Sequence, residues 1–146
     1  AASMLSAPHS LRAEKEGFTR IAATRDYVDV PGTGLVVHAD KVKKQPNMMK
    51  RFLRATLRAM NYIRENRVDT TQMIVREFGM DQEVAGLAYK QLLELLSTDG
   101  KNRVEGYQLL VDFARAGQKL DRAINAAQFV DETILDEIIR EGSIAR

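Results

Sequence analysis

Apolar positions keep two different rhythms along this chain. Up to about residue 38 they come in short runs broken by turn residues, and beyond it they recur every three or four positions. Residues 2–6 (ASMLS) are too few to show alternation, and Pro8 ends any extended run. Ser6 to His9 is a turn, and Ser10 to Glu16 can make two helical turns with Leu11 as the buried residue. Gly17 then suits the C′ position that takes positive φ. Thr19 to Ala23 is a candidate second strand. Thr24 to Gly34 is a connection carrying Pro31, Gly32 and Gly34. Leu35 to His38 (LVVH) has the strongest strand pattern of the chain.

The remainder reads as helices. Gln45-Pro46-Asn47 places a proline in a first turn, where its missing N–H costs nothing. Met49, Phe52, Leu53, Met60 and Ile63 follow on one side, with Lys50, Arg51, Arg54 and Arg58 on the other. Asp69 with Gln72 resembles a capping box that opens a helix closed by Gly79. Asp81 opens another, with Val84, Leu87, Ala88, Leu92 and Leu95 at helical spacing. Thr98-Asp99-Gly100 is a turn. Val104 to Ala116 and Asp131 to Glu141 complete a run of about five helices, ended by Gly117 and Gly142. Lys119 to Gln128 is weakly patterned, a loop or short helix. The order of strand, helix, strand, connection, strand and then helices predicts a helix-rich α/β fold with few strands. So few strands form a poor sheet, which leads us to expect the rear part of a larger protein that self-associates when isolated.

Composition narrows the chemistry. The 146 residues suit one domain, with 45% hydrophobic and 29% charged positions. With no cysteine, disulfides, zinc–thiolate centres and thiol nucleophiles drop out together. No apolar run reaches the ~18–20 residues of a membrane span, and no basic-then-apolar signal peptide is present in this chain. The net charge of +2 does not argue for nucleic acid. The charge is unevenly spread, however. Nine Lys/Arg lie between Lys41 and Arg67 against Glu65 alone, while Asp131, Glu132, Asp136, Glu137 and Glu141 face only Arg140. Two solvated helix faces that attract each other account for this. A basic helix over 47–67 that contacts an acidic partner in a helical interaction or regulatory protein is the alternative. Catalysis has little support: the two histidines, His9 and His38, lie apart, His38 at the end of an apolar run. Neither a nucleophile elbow, nor a Gly-rich phosphate loop, nor a carboxylate cluster with metal spacing occurs. No cofactor or metal is expected, and no enzyme.

Three stretches in order, AASMLSAPHSLRAEKEGF, PGTGLVVHADKVKKQPNMMKRFLRATLRAMNYIREN and LLSTDGKNRVEGYQLLVDFARAGQKL, carry a family likeness over nearly the whole chain. Together they resemble the C-terminal portion of a periplasmic-type solute-binding protein of an ABC importer. The branch in question includes the nitrate, sulfonate and taurine binders and the thiamine-pyrimidine-precursor binders. The resemblance implies an incomplete type 2 periplasmic-binding-protein fold. Residues 1–23 would end the second lobe, 24–34 would cross between lobes, and 35–146 would be the C-terminal part of the first. It further implies a small, anionic or pyrimidine-like solute held in an inter-lobe cleft, an ABC permease as partner, and a periplasmic or extracytoplasmic location for the full-length protein.

Two turns are candidate ligand contacts. Ser6, Pro8, His9 and Ser10 would form a corner where helix N–H groups, carrying about half a positive charge, meet an anion. The plainer reading is that Ser6 or Ser10 caps the helix. Thr33 and Gly34 would offer a hydroxyl and close backbone approach, against a plain Pro-Gly turn. Tyr27 would stack on a flat solute, or simply pack at the surface.

Overall fold

A computed structural model describes residues 1–118 and 122–142. Among them are seven α-helices: α1 (His9–Lys15), α2 (Ala39–Lys44), α3 (Pro46–Glu65), α4 (Arg67–Phe78), α5 (Gln82–Leu95), α6 (Val104–Gln118) and α7 (Thr133–Arg140). Single 3-10 turns occur at Thr24–Asp26 and Ala126–Gln128.

The α/β expectation, with its incomplete periplasmic-binding-protein sheet, is overturned. No strand occurs among the described residues, and 2–6, 19–23 and 35–38 are irregular backbone. Their apolar side chains stand open to solvent, with Met4 at 91%, Ile21 at 84% and Val36 at 95% exposure. The cause lies in what a strand requires. A helix closes its hydrogen bonds within itself, whereas a strand needs a neighbouring strand, and among the described residues these three short runs find none.

The helical reading fares better. Gly17 takes φ +93° after α1, with its N–H donating to the Glu14 carbonyl (3.1 Å) and that of Phe18 to Ala13 (3.0 Å), the paired bonds of a Schellman ending. Asp81 caps α5, accepting from the Val84 N–H at 3.0 Å. Asp69 and Gln72 form no capping box, because α4 starts earlier, after Asn66. Asp69 instead accepts a hydrogen bond from the Tyr62 hydroxyl. Of the weakly patterned stretch, 119–121 lie outside the described residues, and 126–128 form a 3-10 turn capped by Asn125.

The chain divides into two compact units, 1–23 with 59–96 and 24–58 with 97–146. In the first, Leu11 of α1 is buried with Met80, Val84 and Ala85, and Ile74, Val75 and Ala88 pack around them. Lys15 ties α1 to the start of α5 through Asp81 (2.9 Å) and Glu83 (3.2 Å). Buried Tyr89 reaches the C-terminal end of α3, its hydroxyl donating to the Ile63 carbonyl at 2.9 Å. That satisfies a carbonyl which has no partner within its own helix.

In the second unit the buried side chains are Leu57, Ala126, Leu135 and Ile138. Leu57 of α3 lies beneath Gly100, whose φ is +82° and whose added Cβ would stand 2.8 Å from Leu57 Cδ2. Gln108 of α6 holds the 124–126 segment, donating to the Ile124 carbonyl (3.0 Å) and accepting from the Ala126 N–H (2.8 Å). Phe52, Leu87 and Leu95, which helical spacing puts on apolar faces, remain substantially exposed.

Candidate ligand-binding turns

The Ser6–Ser10 corner belongs to the first unit and is positioned by Leu11, the buried anchor of α1. Pro8 occupies the N-cap (φ −86°, ψ −9°) and follows a cis peptide bond. Neither serine caps the helix, since no side chain makes a cap hydrogen bond at this end. The plainer reading of the two serines is thereby set aside. The Ser10 N–H, expected to face a ligand, donates to the Ser6 carbonyl at 3.1 Å, and the Arg12 N–H closes on the Pro8 carbonyl at 3.1 Å. The side chains at the corner are the exposed Ser6 and His9, with Ser10 half-buried.

Tyr27, Thr33 and Gly34 lie in the second unit. Tyr27 is 77% exposed just after the Thr24–Asp26 turn. The 29–34 stretch, irregular as it is, is firmly placed. A Cβ on Gly106 would come within 2.8 Å of the Asp29 carbonyl oxygen and 2.9 Å of Pro31 Cδ. Only glycine lets α6 approach the loop so closely. Asn102 Nδ2 donates to the Thr33 carbonyl (3.3 Å) and to the Tyr107 hydroxyl (3.1 Å). The Tyr107 hydroxyl in turn lies 3.3 Å from where a Gly34 Cβ would be. The close approach that the sequence assigns to a ligand at Gly34 is thus made by Tyr107 of the same chain. Thr33 stays exposed. Asn102, Gly106 and Tyr107 escaped the sequence reading, since their only mark is a small residue and two polar ones in an amphipathic helix and its lead-in.

The basic and acidic segments meet. Lys50 lies 2.8 Å from both Glu137 and Glu141, Arg54 pairs with Glu141, and Lys101 bridges Glu132 (3.1 Å) and Asp136. Glu137 and then Glu141 raise the Lys50 ammonium above its ordinary 10.5. Lys50 and then Arg54 hold the Glu141 carboxyl below its ordinary 4.5. A depressed carboxylate contributes stability above its unfolded value and loses it as pH falls through the folded one. A raised lysine contributes below its unfolded value and loses it as pH climbs through the folded one. The α3–α7 clamp is therefore complete between the ordinary values of 4.5 and 10.5. Amide protection factors in α7 should fall at either extreme, and Lys50→Met should flatten both limbs at once. High salt should weaken the clamp too, because these groups lie near the surface.

His38 does not close a strand. It caps α2, its Nδ1 accepting from the Asp40 N–H at 3.2 Å. Among the described residues no three His, Asp or Glu side chains are grouped to hold a metal ion, and no helix is long and apolar enough to cross a membrane. No protein family, curated protein or solved structure matches this chain.

Proposed function

We propose that the chain is the C-terminal part of the solute-binding component of an ABC-type importer, acting outside the cytoplasm with a permease as partner. Its solute is a small anion or pyrimidine-like molecule. The support from sequence is the order of the three family-like stretches. The observation that carries the reading is the placement of Thr33: an exposed hydroxyl on irregular backbone, held by Asn102 and by the contact of Gly106 with residues 29–31. An exposed loop packed on a helical scaffold is where binding groups concentrate. Ser6, His9 and Ser10 supply a second set of orientable groups, on the anchor of Leu11. The rival reading, a basic helix awaiting an acidic partner, is weakened because Lys50 and Arg54 already serve the acids of α7.

Titrating the ¹⁵N-labelled chain with taurine, nitrate and an aminopyrimidine tests this. At least one should give saturable shifts at Thr33–Gly34 or Ser6–Ser10, reduced by Thr33→Val. Silence from all three at millimolar concentration, or shifts confined to α3, overturns it. The same samples should scatter light as more than a monomer, because the apolar side chains of 1–6, 18–23 and 33–37 stand uncovered.

A further inference from the structure

We infer that the groove between α4 and α5 is a second binding site, taking a small organic anion with an apolar body. The groove is open to solvent, offers about 580 Å³ and lies wholly within the first unit, a volume in the range of small-molecule sites. Its walls are one row of each helix: Arg67, Val68 and Thr71 from α4, and Gly86, Leu87 and Lys90 from α5, with Gln82 and Glu83 at one end.

Three observations select the ligand. The first is an apolar lining left open. Val68 is 70% exposed and Leu87 is also exposed, so a ligand here removes hydrocarbon from water. The second is the charge balance. Glu83 is the one acid of the lining and is engaged by Lys15 at 3.2 Å. Arg67 and Lys90 have no ion-pair partner among the described residues, which leaves two positive charges over an apolar floor. The Thr71 hydroxyl does not compete for the ligand, since it donates to the Arg67 carbonyl at 2.8 Å. The third is Gly86 itself. Mid-helix glycine is less favourable than alanine, and an added Cβ here would meet nothing within 4 Å. The fold does not require glycine at this position, and its bare backbone leaves the groove floor open to an occupant. A carboxylate or sulfonate carried on a ring or short alkyl body satisfies all three. The site is independent of the Thr33 and Ser6–Ser10 turns.

The test uses 1-naphthalenesulfonate as probe and naphthalene-1-methanol as its neutral counterpart, followed by ¹⁵N shifts of the whole chain. The sulfonate should saturate with a dissociation constant below roughly 1 mM, shifting Val68, Gly86 and Leu87, and the alcohol should bind at least about tenfold more weakly. Gly86→Leu should abolish those shifts, and Arg67→Gln with Lys90→Gln should weaken binding by about tenfold or more. Gly86→Ala provides the readout that does not depend on Leu being tolerated: a higher melting temperature together with weaker binding. Shifts scattered over Phe18, Ile21 and Val36, equal affinity for the alcohol, or binding untouched by the Gly86 variants would overturn the site.

Discussion

Leu57→Ala should destabilise the second unit by about 2–5 kcal/mol, the usual loss for truncating a leucine inside a core. Leu57 is only 4% exposed, and it lies in α3 facing Gly100 and Leu135. The more telling experiment joins it to Gly100→Ala. Alone, Gly100→Ala suffers twice: its φ of +82° is one that L side chains avoid, and its Cβ would press to 2.8 Å from Leu57 Cδ2. In the Leu57→Ala background the second penalty disappears and the first remains. Urea denaturation of the four chains should therefore give a double variant less destabilised than the sum of the singles, by about 0.5–3 kcal/mol. Strict additivity would mean that Gly100 does not rest on Leu57.

Gly106→Ala should lower stability and move the Thr33 turn in one stroke. The new methyl would meet backbone, with the Asp29 oxygen at 2.8 Å and Val30 Cα at 3.3 Å, besides Pro31. Backbone cannot swing aside as a flexible side-chain tip can, and overpacking of this kind costs about 1–3 kcal/mol. Replacing a helical glycine returns roughly 0.5–1 kcal/mol, so a net loss is expected. Gly86→Ala is the internal control, a helix glycine with open space around it, and should be stabilising. Amide shifts of Thr33, Gly34 and Asn102 in Gly106→Ala would show the loop displaced. If solute binding at Thr33 survived that displacement unchanged, the turn would not be the recognition element.

How far the sequence could be read differs from element to element. The α1 ending was legible because Gly17 performs a local task, and the same holds for Asp81 at the start of α5, which caps with its own carboxylate. Pro46 marked the beginning of α3 for a similar reason. The candidate turns were only half legible. Pro8 and the Pro31–Gly34 run announce irregular backbone, but what holds Thr33 in place is Asn102 some seventy positions away. The capping box at Asp69 misled because an acidic side chain near a helix start has two uses, and Tyr62 claimed it.

By itself, the amino-acid order marked six of the seven described helices, how α1 ends and α5 begins, and that the 41–67 segment is basic while 131–141 is acidic. Each of these depends on contacts about five residues apart or fewer, or on no contact at all. Tertiary structure alone decided that Lys50 and Arg54 bind the acids of α7, that α6 comes close enough to 29–31 to need Gly106, and that 2–6, 19–23 and 35–38 lie unpaired. A strand, an ion pair between remote helices and a close helix–loop contact all require a partner from elsewhere in the chain. Nothing in the local pattern says whether that partner arrives.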